Sequence, residues 1–244
     1  MAGPEDVTGT LYGLGVGPGD PELLTVKAAR LLRTCPVVAY PAPEQGESLA
    51  RRIAAPHLPG GQVEIAIRME LSPARFPAPE VYDSAATTIA AHLAAGRDVA
   101  VLCLGDPLLY GSFMYLFARL AGSHVVEIVP GVASPTAAAA ALGLPLAARD
   151  DALAVIPAQL PDERIAACLA ASDTSAIIKL GRHFARVRAL LDTLGLAGSA
   201  HYIAHATMAD QQILPLAAIE PASVPYFSLI IVRRPGAAAS AVLR

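Results

Sequence analysis

A chain of 244 residues, 54% hydrophobic and 16% charged, is long enough for one large or two small domains with real cores, and too apolar to be disordered. Its net charge of −3 supplies no global field for nucleic acid, so no nucleic-acid partner is expected. Positive charge is almost all arginine, Lys27 and Lys179 being the two lysines, which suits bidentate recognition of carboxylates.

Apolar strand patterns at 10–15, 36–40, 62–67, 98–104 and 124–129 alternate with helical patterns at 21–33, 47–55, 79–95 and 111–121. This β-α rhythm predicts an α/β fold with a parallel sheet covered on both faces. "GRDVAVLCLGDP" is the clearest strand, continuous in apolar residues as a central strand should be. After "VPGVASPTAAAAALGLPL" the rhythm changes, with strands expected at 152–156, 175–180, 200–207 and 226–233 and helices near 162–171 and 183–194. Two α/β domains are expected, 1–130 and 131–244. The uncharged stretch from Ile128 to Ala148 is broken by Pro130, Pro135 and Pro145. It reads as strand, turn and small-residue helix rather than a membrane span, and no membrane partner is expected. The opening "MAGPEDV" lacks the pattern of a signal peptide, which predicts a cytoplasmic protein. Cys35 and Cys103 lie in apolar runs and read as buried, reduced thiols.

The first strand runs into "GVGPGDPELLT". A dinucleotide fingerprint needs G-x-G-x-x-G, but counting from Gly13 and Gly15 the third position is Pro18, and from Gly15 and Gly17 it is Asp20. Asp20 is placed instead to cap a helix, with Pro21 at its first position and Glu22 in its first turn. Two carboxylates at a helix's positive end repel a pyrophosphate. No GK[ST] follows, and "VVAYPAP" offers no acidic residue for a ribose. These tests exclude a P-loop and argue against an NAD-dependent dehydrogenase.

The most buried strand pattern ends in "LGDPLLYGS" at 104–112, at the carboxyl edge of the sheet where α/β ligands bind. Asp106 offers a carboxylate, and Gly105 and Gly111 permit close backbone approach. A plain reading makes Asp106 a second cap and Tyr110 a core edge.

"GVGPGDPELLT", "GDPLLYG" and "VPGVASPTAAAAALGLPL", in that order, resemble the tetrapyrrole methylases over nearly the whole chain. "VVAYPAP", "GDPLLYGSFMYLFARL", "IIKLGR", "ATM" and "PYFSLIIV" look closest to the branch that methylates C20 of precorrin-2, with the cobalt-factor II branch very similar. The resemblance implies a mixed sheet in the second domain, an S-adenosylmethionine cleft between the domains and a homodimer. It assigns cofactor contacts to Pro18, Leu104, Gly105, Asp106, Leu109, Ala133, Ser134, Leu180, Met208 and Ser228, mostly through backbone groups. Tyr110 and Asp20 are candidate proton acceptors by position. Two departures stand out: Pro41 follows Tyr40 where relatives carry an Asp, and Ala204-His205 replaces the usual Glu-Arg.

Precorrin-2 carries eight carboxylates, so a net-negative protein must bind it through local cations. Arg51 and Arg52 after the Tyr40-Pro41 strand, and Arg182 and Arg186 after "IIKLG", are the candidates, expected to face one another across the cleft. His201 and His205 have a helical metal spacing but fall in a strand pattern, so no metal site is expected. The alternative from another class is a tetrapyrrole-binding module without catalysis.

Overall fold

A computed structural model describes residues 8–69, 79–234, 236 and 238. The chain forms two compact units, Met1–Ala133 and Ser134–Arg244.

In the first unit the strands are β1 (Leu11–Gly15), β2 (Val37–Pro43), β3 (Val63–Met69), β4 (Val99–Cys103) and β5 (Val126–Val129). The helices between them are α1 (Val26–Thr34), α2 (Leu49–Ala54), α3 (Pro79–Ala94) and α4 (Phe113–Leu120). The sheet order is β3-β2-β4-β1-β5 and every pairing is parallel. Alternate residues of one strand serve opposite faces. Val99 and Val101 pack with Ile89 of α3 and Leu116 of α4, whereas Ala100 and Leu102 pack with Leu32 of α1 and Ile53 of α2. This two-sided burial is why β4 reads as a continuous apolar run. The parallel arrangement brings the ends of all five strands to one edge.

Two local departures from the sequence expectation have clear causes. The helical pattern at 21–33 is split into a 3-10 turn, Pro21–Leu23, and α1. Leu24 is extended between them, and Thr25 caps anew by accepting from the Ala28 amide at 3.2 Å. β2 runs on to Pro43 because β4 pairs with it only over Val37–Ala39. Pro41 and Pro43 lie where β3 is the one neighbour, so the missing N–H groups break no central ladder.

The second unit holds α5 (Ser134–Leu142), β6 (Leu153–Pro157), α6 (Asp162–Ala171), β7 (Thr174–Ile178), α7 (Phe184–Thr193), β8 (Ala200–Ala204), β9 (Gln212–Leu214) and β10 (Ser228–Arg233). Its sheet is mixed, in the order β6-β7-β10-β8-β9, with β6 and β7 parallel and the other pairings antiparallel. Ile165 of α6, Phe184 and Leu191 of α7, Tyr202 and Ile230 fill one face. Ala138 of α5 packs on Ala176, Ile203 and Ile231 of the other. The uncharged stretch is therefore β5, a turn and α5, and among the described residues no helix is long and apolar enough to cross a membrane. β10 runs against β7 and β8, so its first residue, Ser228, lies opposite Ala204 at the end of β8.

Candidate functional site

Three loops meet at the carboxyl edge of the parallel sheet. The β1–β4 pairing continues past the strands: the Val16 amide donates to the Cys103 carbonyl at 2.9 Å, and the Gly105 amide donates to the Gly17 carbonyl at 2.9 Å. On the other side of β1, the backbone after β5 comes so close that a Cβ on Gly15 would lie 2.5 Å from Cα of Gly131 and 2.7 Å from the Gly105 carbonyl. A Cβ on Gly131 would collide with the same carbonyl. Gly17 (φ +75°) and Gly105 (φ +67°) also require left-handed backbone. Gly15 and Gly131 thus serve loop-to-loop contact, and Gly17 and Gly105 serve the backbone conformation.

Asp106 ties these loops together. Its Oδ1 accepts from the Leu108 amide at 2.9 Å and the Leu109 amide at 3.2 Å, and its Oδ2 accepts from the Gly131 amide at 3.1 Å. The plain reading of Asp106 as a cap is half of its role; the bond to Gly131 is the part that sequence reasoning missed. Asp20 does cap, accepting from the Glu22 amide at 2.8 Å, although the element is a 3-10 turn. Tyr110 is not a core edge. It is 42% exposed beside Leu109 (41%), and its backbone is left-handed at φ +56°. Pro18 is buried, and Leu104 and Ala133 are partly buried around the same loops.

The second unit presents its own edge, where β7 and β8 end and β10 begins. Leu180 is fully buried in the core, backbone included, and its carbonyl accepts from the His183 amide at 2.7 Å. Ser228 is buried and donates to the Pro225 carbonyl at 2.7 Å. Met208 sits in a tight turn, its amide donating to the His205 carbonyl at 2.9 Å. Ser134 is the first residue of α5. β8 stops at Ala204, short of the expected 207, because His205 (φ +51°) and Thr207 (φ +69°) turn left-handed.

Five described non-glycine residues have positive φ, and four of them flank these positions: Tyr110 beside Leu109, Lys179 beside Leu180, and His205 and Thr207 around Met208. Such strain persists only where surrounding structure enforces it, and it gathers at ligand sites. Lys179 and Thr207 therefore join Leu180, Met208 and Ser228 as candidate residues of the second unit, along with the exposed, edge-to-face pair Tyr226–Phe227 just before Ser228. No residue type announces this strain in the sequence.

The arginine candidates separate into two kinds. Arg51 is bound to Glu64 by two bonds of 2.9 Å, through Nε and Nη2, and the same carboxylate accepts from Tyr40 Oη at 2.8 Å. That pairing holds the Glu64 carboxyl below its usual range. Arg186 pairs with Asp162 and donates to the Ala158 carbonyl, fastening α7 to α6. Both were expected to face substrate, and the structure spends them internally. Arg52 and Arg182 are exposed. His205 Nδ1 lies 2.7 Å from Asp210 Oδ2 within its own turn. Among the described residues no three His, Cys, Asp or Glu side chains gather as a metal site would require.

The family model for tetrapyrrole (corrin/porphyrin) methylases matches residues 10–220. The chain is 44% identical to the cobalamin biosynthesis protein CobIJ of Mycobacterium tuberculosis over 96% of its own length, but it spans about half of that relative (47%). It is 37% identical to a precorrin-2 C(20)-methyltransferase of a Sinorhizobium species, covering 92% of this chain and 95% of that one. Among solved structures, uroporphyrin-III C-methyl transferase from Thermus thermophilus, complexed with S-adenosyl homocysteine, is similar at a TM-score of 0.69 and 26% identity. That likeness covers 96% of this chain and all of the other. With a family match over most of its length and a relative of that family 37% identical over nearly the whole of both chains, the chain belongs to the tetrapyrrole methylases.

Proposed function

We propose that the protein transfers a methyl group from S-adenosylmethionine to C20 of precorrin-2, giving precorrin-3A in cobalamin biosynthesis. The observation that carries this reading is the 37% identity to a relative of that name, over nearly the full length of both chains. The site residues support the donor. Asp20 and Glu22 beside the first loop disfavour a phosphate, whereas a sulfonium and an adenosine need carbonyls, amides and apolar contact. Gly105 leaves room for this: a Cβ there would meet only Ala133 Cα and the Val132 carbonyl, both at 3.9 Å. By the family resemblance, donor contacts would come from Pro18, the 104–109 loop and Ala133, and likewise from Ser134, Leu180, Met208 and Ser228.

S-adenosylmethionine supplies, when bound, a methyl group on a sulfonium that departs as a neutral thioether. The enamine-like macrocycle provides the electron pair for the new C–C bond, and the proton at C20 leaves afterwards. The chain's task is alignment and exclusion of water. The bridged loops at Gly17–Gly105 and Asp106–Gly131 hold the donor side still. The C20 proton would end on water: Tyr110, exposed on its strained backbone, would relay it by accepting at its hydroxyl oxygen while passing its own proton to solvent, and the Asp20 carboxylate, whose Oδ1 accepts from the Glu22 amide, is the alternative acceptor. Arg52, Arg182 and Lys179 would meet the side-chain carboxylates.

Incubation with S-adenosylmethionine and either metal-free or cobalt-bearing substrate, followed by mass and NMR assignment of the new methyl, tests the proposal. Methylation at another carbon, or tight NAD binding with no response to S-adenosylhomocysteine, would overturn it. A cytoplasmic homodimer belongs to the same reading. Sedimentation of a 25.1 kDa particle at micromolar concentration would count against the dimer.

A further inference from the structure

Three of the eight described lysines and arginines of the first unit have their charge cancelled by a carboxylate. Lys27 pairs with Glu127, Arg51 with Glu64 and Arg119 with Asp83. Arg68 differs. It is exposed, the last residue but one of β3, and it donates from Nη1 to the carbonyls of Pro43 (2.9 Å), Glu44 (3.4 Å) and Gly46 (3.5 Å). Among the described residues no carboxylate pairs with it. Carbonyl oxygens orient a guanidinium through their dipoles but leave its unit charge in place.

The loop after β2 is shaped for this contact. Gly46 takes φ +96°, a left-handed turn that brings its carbonyl round to the same nitrogen as the other two. Ser48 Oγ donates to the Pro41 carbonyl at 2.6 Å and closes the loop's base. All three bonds use Nη1. The Nε–Nη2 edge, with which Arg51 grips Glu64, carries none of them.

We infer that Arg68 is a substrate-binding residue that grips a rim carboxylate of the tetrapyrrole through its Nε–Nη2 edge, the part expected of Arg51. The inference rests on the methyl-transfer reading for the identity of its ligand. Location supports it. Strand spacing near 4.8 Å puts the end of β3 about 10 Å from the end of β4, along the same sheet edge. The carboxylates of a tetrapyrrole lie at its rim, so a cation that reads them should stand well away from the loops that hold the methyl donor. The β2 loop carbonyls keep that cation pre-oriented, which reduces the ordering cost of binding.

The test compares wild type with Arg68→Gln and Arg68→Lys, using precorrin-2 and an analogue whose side-chain carboxylates are methyl esters. With the acid substrate, Arg68→Gln should raise KM about tenfold, as expected for loss of a charge-assisted contact. Its kcat should stay within about twofold and its S-adenosylhomocysteine affinity should be unchanged. Arg68→Lys should recover part of the loss, and the salt dependence of KM should shrink in Arg68→Gln. With the ester, wild type and Arg68→Gln should agree within about twofold. An equal KM increase for acid and ester would overturn the inference, because it would mean that Arg68 only shapes the loop. An unchanged KM for the acid would also overturn it. If wild type binds precorrin-2 without turnover, the methyl-transfer reading falls, and the same comparison made with dissociation constants decides the role of Arg68.

Discussion

Asp106 offers the sharpest test of how the donor loops are built. Replacing it with Ala removes two turn bonds at Oδ1 and the Oδ2 bond to Gly131. The turn bonds resemble a helix cap, whose loss costs about 1 kcal/mol. The bond to Gly131 is charge-assisted but only partly buried, so about 1–2 kcal/mol is reasonable. Asp106→Ala should therefore lose about 2–3 kcal/mol of stability in urea titrations. Asp106→Asn keeps Oδ1 and turns an amide donor toward the Gly131 N–H, so it should lose only the second part, about 1–2 kcal/mol. Because these loops are proposed to hold the donor with their backbone, calorimetric affinity for S-adenosylhomocysteine should fall in the same order as stability. An Asn variant of wild-type stability with collapsed affinity would refute this, since the carboxylate would then touch the ligand itself.

Gly131→Ala should cost at least 2–3 kcal/mol or prevent folding, because the obstructing atoms are backbone. Gly60→Ala, left-handed but in open space, should cost only about 1–2 kcal/mol; thermal melts of the pair decide it. Arg51 depresses the folded-state pKa of Glu64, so this pair adds stability above the unfolded carboxylate value of about 4.3 and loses it as pH falls further. Glu64→Gln should flatten the acid limb of a stability–pH curve while costing no more than about 1 kcal/mol at pH 7, since the pair is well exposed. Burial pushes the Cys35 thiol up to about 12 and the Cys103 thiol up to about 11. A thiol reagent at mildly alkaline pH should label Cys168 in the native protein, and labelling of Cys103 at the same rate would contradict the burial of β4.

The strands were readable in the sequence because burial on two faces writes long apolar runs, as in β4 and β10. β9 was not, since three exposed residues, Gln212–Leu214, carry no pattern. The capping of Asp20 was readable because its partner is two residues away. The partners of Asp106, Arg51 and Arg186 lie 25, 13 and 24 residues away, and only the folded chain brings them together. That is why Arg51 and Arg186 looked available for substrate while Arg68 drew no notice. The glycine motif departs visibly from a dinucleotide fingerprint in the sequence, but the reason for Gly15, the close approach of the Gly131 and Gly105 backbone, belongs to tertiary structure.

β10 comes last of the ten strands among the described residues, yet it stands at the centre of its sheet, between β7 and β8, and all six of its residues are buried. During synthesis this separates the two units in time. All five strands of the parallel sheet exist once residue 129 has emerged, and that unit can close while translation continues. In the second unit β7 and β8 must wait with unpaired inner edges through roughly thirty more residues after β8 until β10 arrives between them. A ribosome stalled before residue 228 would hold a finished first unit and an adhesive, half-built second one. The nascent second unit is therefore where a chaperone would be needed, and truncation there should yield aggregates rather than a smaller folded protein.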